Sequence, residues 1–489
     1  MALRNKVQLI TYPDSLGGSL RGLADALDEH FRGLFEGGIH ILPPFPSSGD
    51  RGFAPLTYAE IDPRFGDWAD IARLGERHDI LLDLMINHIS AQSPQFADFR
   101  ARGRTSEWAD LFITLDKIWP DGRPVQADID RIFLRRPRPY STFEVGSPRV
   151  LETVWTSFGK QDPSEQIDLD WRSPRFRSLV EGFFDTFAAH GIRMVRLDAV
   201  GYLVKSLGTS CFFVQPEIWD LLGWLEDQAA RRGIALLPEV HGTHEIGEDL
   251  VRHSYWTYDF ILPYRVLEAL VLRNPARLKE YLATRPHRQF TMLDCHDGIP
   301  LKPDLDGLYD PGEARHVVEL CQSRGGNMSR VYAAEHRDPD GFDVHQIRGT
   351  IFSLLDRDDD ACIAARAIQL FTPGIPQIYY VGLLAGENDQ DAATRTGDGR
   401  EANRHNFSPQ EIRDAAGREV VRRLIRLIRL RNSHPAFDGD FALLPSPHDQ
   451  VRLSWARDVA TCTLEVDFRS LRSHVDMTDA AGERSEMGV

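Results

Sequence analysis

Three acidic residues each close a short run of β-forming apolar residues: Asp198 in RLDAVGY, Glu239 in LLPEVH and Asp297 in LDCHDGI. A carboxylate at the end of a buried strand is costly to keep without a purpose. Carboxylates that share a cleft repel one another, and one then titrates high enough to act as an acid near neutral pH. Two carboxylates with a third as stabiliser suit a transition state of oxocarbenium character, the chemistry of glycoside transfer. A lone strand-end Asp serves equally well as a cap or ion-pair partner. Three in one pattern, with Arg196 two residues before Asp198, favour catalysis.

The elements that must position these groups are buried strands. Continuous apolar runs occupy Val7–Tyr12, Ile39–Pro44, Ile80–His88, Met194–Val200, Ile234–Val240, Tyr258–Leu262, Phe290–Asp297 and Ile375–Gly382. They do not alternate, as expected of strands covered on both faces. Amphipathic helical stretches intervene, so the pattern predicts an α/β fold, a (β/α)8 TIM barrel. Long inserts after strands 3 and 7 leave from the end where barrel active sites are assembled. After Pro435 two alternating runs, VRLSWA and ATCTLEVD, predict a small C-terminal antiparallel β domain with a frayed polar tail after about residue 470. The expected organisation is barrel 1–88, insert 89–176, barrel 177–297, insert 298–357, barrel 358–435 and β domain 436–489. RRLIRLIRLR reads as the solvated face of the last barrel helix, and RDDDA (Asp358–Asp360) as a helix start, since its spacing is not that of a calcium loop.

Among 489 residues, 57 Lys and Arg against 73 Asp and Glu give a formal charge of −16, which argues against nucleic acid or an anionic membrane as partner. Any anionic substrate must then meet a local arginine cluster. The five scattered cysteines form no CxxC pair, and no apolar run reaches the roughly 18 residues of a membrane span. The N-terminal stretch has no sustained apolar segment or cleavage signature, so the expectation is a soluble, cytoplasmic protein.

RLDAVGY, PEVH, CHDGI and MINH resemble the four signature segments of the α-amylase superfamily (glycoside hydrolase family 13). Across residues 5–440, HILPPFPSSGDRGF, GTSCFF, FTPGIPQIYYVGLLAG and GREANRHN narrow the resemblance to its sucrose phosphorylase group. That resemblance implies Asp198 as nucleophile, Glu239 as general acid/base and Asp297 as transition-state stabiliser. It implies Arg196 as the group that orients the nucleophile, His88 and His296 as glucosyl-binding histidines, and Asp50 and Arg400 as the closed end of a one-sugar pocket. Phe53 and Phe158 would wall that pocket, though either suits a core. Gly201-Tyr202 replaces the Lys-His pair that amylases carry near a calcium site, so no metal and no organic cofactor are expected.

A phosphorylase must bring a dianion beside carboxylates, which requires aimed cations. Arg136 in FLRRPRPY matches the group's phosphate arginine, and Tyr202 and His241 match its acceptor site. Gly341–Gln346, with Asp343 and Gln346, resembles its mobile acceptor loop. Arg135 and His345, in the contexts FLRR and DGFDVHQI, resemble the branch acting on sucrose 6′-phosphate. They would bind the phosphate on fructose C6, although Arg135 could instead be a solvated loop residue or a subunit contact. The implied partners are a sugar phosphate and inorganic phosphate, with a homodimer expected by analogy. The alternatives are sucrose, glucosylglycerol or glucosylglycerate as the donor; a hydrolase or transglucosylase; or a non-catalytic scaffold. On the double-displacement reading, Asp198→Ala abolishes both phosphorolysis and hydrolysis, and the first product is the α anomer of glucose 1-phosphate by NMR. A β anomer would exclude double displacement.

Overall fold

The structure, a computed structural model, describes residues 3–489. The chain divides into two compact units. Of the described residues, the first contains Ile41–His241 and Val331–Asp343; the second contains residues 3–40, Gly242–Arg330 and Val344–Val489.

The eight parallel strands of a (β/α)8 barrel are β1 (Gln8–Thr11), β2 (Gly38–Ile41), β3 (Ile80–Met85), β4 (Met194–Asp198), β5 (Ala235–Pro238), β6 (Thr257–Asp259), β7 (Gln289–Thr291) and β8 (Ile375–Tyr379). Each lies within an expected run or overlaps it. In the first unit β3, β4 and β5 pair side by side, with Asp83 opposite Arg196 and Arg196 opposite Leu237. In the second, β6 pairs with β7, β7 with β8 and β8 with β1. The helix Pro174–Ala189 shows how the sequence starts its elements: Ser173 caps it by accepting from Arg175 N, proline opens it, and Phe176, Val180, Phe184 and Phe187 form its buried stripe.

The runs extend past the strands, because the chain turns before the chemistry-bearing residues. The run Ile80–His88 breaks after Met85, and His88 opens a separate strand, His88–Ser90, antiparallel to Gln166–Asp168. His88 is therefore not at the top of a barrel strand. Likewise β7 stops at Thr291, so His296 and Asp297 lie in the loop that follows it.

The insert after β3 folds around a hairpin, Tyr140–Val145 with Val150–Trp155. Trp155 stacks on Trp119 at 5.8 Å within a cluster containing Ile113, Ile129, Ile132 and Cys211. In the second unit Val344–Arg348 is the middle strand between Ile299–Pro300 and Asn327–Arg330. Gly341–Gln346 is thus not one loop: His345 and Gln346 are strand residues, and only its first part is irregular. The loop expectation failed there because Val-His-Gln-Ile-Arg is too short for its alternation to show above the flanking turn signals.

Three other expectations change or gain detail. The helix Glu419–Ser433 does expose arginines, but Arg431 is fully buried and donates to the carbonyls of Leu370, Asn5 and Gly374. Asp358 caps the helix Asp359–Phe371 by accepting from Ala361 N at 2.9 Å. The C-terminal residues form a five-stranded antiparallel sheet: Asp440–Leu444, Gln450–Arg457, Ala460–Asp467, Ser473–Thr478 and Arg484–Gly488. The tail after residue 470 is therefore two strands rather than frayed chain, anchored by the buried Val475 and Val489 and by Arg423 on the Val489 carbonyl. Its polar residues alternate on the exposed face, which hid it from a composition reading. Truncation after Ser470 should cost about 2 kcal/mol or more from the lost burial of Val475 and Val489, given about 1.5–3 kcal/mol for a fully buried aliphatic side chain. Thermal denaturation checks this, and an unchanged melting temperature would contradict it.

Candidate active site

In the first unit one guanidinium organises the carboxylates. Arg196, buried, donates from Nη1 to Asp198 Oδ1 at 2.8 Å and to Asp83, while Nη2 stands 3.3 Å from Glu239 Oε1. Asp83 is completely buried on β3, in register with Arg196, so the ion pair crosses adjacent strands. After Asp198 the chain turns sharply: Ala199 takes a left-handed conformation (φ 51°) and its N–H donates to Glu239 Oε2 at 2.9 Å. His241 Nε2 lies 3.2 Å from Glu239 Oε1.

Burial pushes the Glu239 carboxyl up, but the Arg196 charge, the His241 hydrogen bond and the Ala199 N–H outweigh it, holding Glu239 well below its ordinary range. The expectation of one carboxylate raised by its neighbours is therefore not met at Glu239. An arginine between the acids offsets their repulsion, and that contact was read from sequence for Asp198 alone.

The sugar-wall candidates of this unit pack together. Phe53 lies under the Arg196 guanidinium, 6.0 Å from the ring centroid, and its carbonyl accepts from His88 Nε2 at 2.9 Å. The His88 ring is 5.5 Å from Phe158, and Phe158 meets Tyr202 edge-on at 4.8 Å. Asp50 sits in a left-handed turn (φ 41°), with its carboxylate 3.4 Å from Lys160 Nζ. Arg135 stands 5.9 Å from the Phe158 ring centroid, and with Tyr202 and Ser157 it lines one cleft. Arg136 donates to Thr156 Oγ1, Ser141 Oγ and the carbonyls of Phe158 and Gln161 at 2.8–3.3 Å. Its guanidinium thus holds the loop that carries Phe158. Asp343 accepts from Asp338 N at 3.0 Å.

The second unit carries the third carboxylate. Asp297 Oδ1 accepts from Arg400 Nη1 at 3.2 Å, Arg404 Nη2 stands 3.7 Å from the same atom, and His296 Nε2 is 3.5 Å from Oδ2. Arg404 also donates to the His296 carbonyl at 2.8 Å and lies over Tyr12, whose ring meets His296 edge-on. Arg404 and Tyr12 escaped the sequence reading, as did Asp83 and Lys160. For Arg404 a signal existed, because GREANRHN places it four residues after Arg400, just past the end of the same short helical stretch. His345 is buried, with Nδ1 donating to the Lys302 carbonyl, and Gln346 is buried beside it in the strand.

This geometry defines a (β/α)8 glycoside-transforming enzyme of the α-amylase type, and residues 5–227 match the alpha-amylase catalytic domain. Within that class, the chain belongs to the sucrose phosphorylase family. It is 55% identical over 483 residues to the sucrose 6(F)-phosphate phosphorylase of Thermoanaerobacterium thermosaccharolyticum, covering 99% of each chain. It is 43% identical over 444 residues to the sucrose phosphorylase of Streptococcus mutans, covering 90% of each. The crystal structure of sucrose 6F-phosphate phosphorylase from Thermoanaerobacter thermosaccharolyticum shares its fold with a TM-score of 0.98 at 54% identity, over 100% of this chain and 99% of that one. The α-amylase of H. orenii, 17% identical with a TM-score of 0.68, shares the fold.

The stretch carrying Arg400 and Arg404 is tied down by His405, whose Nδ1 is 2.8 Å from Asp389 and whose Nε2 is 3.0 Å from Glu411. Burial lowers the imidazole pKa, but the two carboxylates outweigh it and raise it above its ordinary value. A raised folded-state pKa gives stabilisation that is complete below the unfolded value, about 6.5, and is lost as pH rises through the folded one. The melting temperature of the wild type should therefore exceed that of His405→Gln most at pH 6, with the gap closing towards pH 9. A gap independent of pH would contradict this.

Proposed function

We propose that the protein is a retaining phosphorylase that converts sucrose 6′-phosphate and phosphate to α-glucose 1-phosphate and fructose 6-phosphate. Asp198 attacks the glucosyl carbon, and Glu239 protonates the departing fructosyl oxygen. Phosphate then attacks the glucosyl-aspartate while Glu239 takes its proton, so two inversions restore the α configuration. The observation that carries this reading is Arg196, which touches both Asp198 and Glu239. It orients the nucleophile and holds both carboxylates within one guanidinium's reach, as a double displacement by a nucleophile and a neighbouring acid/base requires. Asp297, braced by Arg400 and Arg404, grips the sugar hydroxyls with His296. Asp50, Phe53, His88 and Phe158 form the remainder of the glucosyl pocket, and Tyr202, His241, Asp343 and Gln346 the acceptor side.

Arg136 is proposed to meet inorganic phosphate by exchanging its loop acceptors for the dianion. The bonds to the loop oxygens are charge-assisted on the donor side alone, whereas those to a dianion are charged on both sides and can be bidentate, which favours the exchange. The working enzyme is placed in the cytoplasm, a reading supported by five buried cysteines, all free. Among the described residues no helix is long and apolar enough to cross a membrane. A homodimer is proposed on the resemblance alone.

Recognition of the 6′-phosphate is assigned to Arg135 and His345, and it rests on the 55% identical relative, a sucrose 6(F)-phosphate phosphorylase. The second reading, sucrose phosphorylase, follows the 43% identical one. With glucose 1-phosphate as donor, Arg135→Ala and His345→Tyr should each lower kcat/KM for fructose 6-phosphate about tenfold to a hundredfold, and for fructose far less. An unchanged ratio, or a wild-type preference for fructose, would favour the second reading.

A further inference from the structure

Lys205 is buried in the first unit and, among the described residues, has two side-chain partners: Asp168 Oδ2 at 2.6 Å and Asn87 Oδ1 at 2.7 Å. Asp168 is itself completely buried, and it also accepts from Ser157 N at 2.8 Å, Ser157 Oγ at 2.5 Å and Asn87 Nδ2 at 3.2 Å. Three chain segments meet here, and each carries a wall residue next to its anchor or close by: His88 beside Asn87, Phe158 beside Ser157, and Tyr202 three residues before Lys205.

The orientation of the Asn87 amide follows from its partners. An ammonium can only donate, so the atom facing Lys205 must be the amide oxygen. The amide nitrogen then points at Asp168 and, at 3.4 Å, at His88 Nδ1. Facing a donor, Nδ1 is the unprotonated nitrogen, and Nε2–H donates to the Phe53 carbonyl. We infer that Lys205 is a positioning residue which, through the Asn87 amide, fixes His88 as the neutral Nε2–H tautomer in the sugar wall. The charges facing His88 agree with this. Burial lowers its pKa and Lys205 adds to that, against Asp168, Glu165 and the Phe53 carbonyl.

The inference takes His88 as part of the glucosyl pocket, but its central measurement does not depend on activity. Nitrogen-15 NMR of the intact protein, with His88 assigned from His88→Gln, should show a neutral ring protonated at Nε2 at pH 7. A ring protonated at Nδ1, or charged, would overturn the inference even in an inactive protein. In Lys205→Met the amide is released and Asp168 loses its counter-charge, so the His88 pKa should rise. The acid limb of the kcat/KM profile should move up by about one pH unit, a loss that approaches tenfold only on the acid side of both limbs. Lys205→Arg should restore most of it. If Lys205→Met does not fold, Asn87→Asp, which replaces the amide donor by an acceptor, should raise the limb in the same sense. A folded Lys205→Met or Asn87→Asp with the wild-type limb would overturn the proposal.

Discussion

The candidate site of the first unit depends on one fact: three carboxylates, Asp83, Asp198 and Glu239, share the single guanidinium of Arg196. Burying ionised groups is costly unless each is paired and hydrogen-bonded. The site meets that demand with a planar donor fork, which suits several carboxylates where a lysine would suit one. The strand register makes this possible, because Asp83 and Arg196 are opposed across β3 and β4. The compensation is incomplete, since the acids outnumber the guanidinium. Under the proposed mechanism that imbalance is useful: a pre-oriented negative surplus is complementary to an oxocarbenium-like transition state and needs no rearrangement when charge develops.

The same surplus is a difficulty for a phosphorylase, which must admit a dianion. Arg136 illustrates one physical answer. In the structure its hydrogen bonds go to a cage of hydroxyls and carbonyls, with the Asp162 carboxylate 3.9 Å from the guanidinium. Because neutral acceptors bind a guanidinium more weakly than phosphate does, such a cage stores the cation without spoiling it for a ligand. Arg135, proposed to meet a different phosphate, lies against Phe158.

Much of this was legible in the sequence. The eight barrel strands showed because burial on both faces leaves continuous apolar runs, and Asp198 showed because it is the last residue of β4. Residues whose placement depends on how the chain turns after a strand were less legible. His88 and Asp297 looked like strand tops, yet one opens a second strand and the other lies in a loop. The final strands were missed because their exposed face is polar and few of their side chains are buried.

What no periodicity conveys is the direction of a hydrogen bond. Asn87 reads as one polar residue in MINH, and its amide could serve either partner either way round. Only the fold brings Lys205, 118 residues later, against its oxygen. A donor-only neighbour then settles the amide, and the amide settles which nitrogen of His88 is protonated. Specificity of this kind comes from the order in which donors and acceptors are joined, and that order is set by long-range topology rather than by any local pattern.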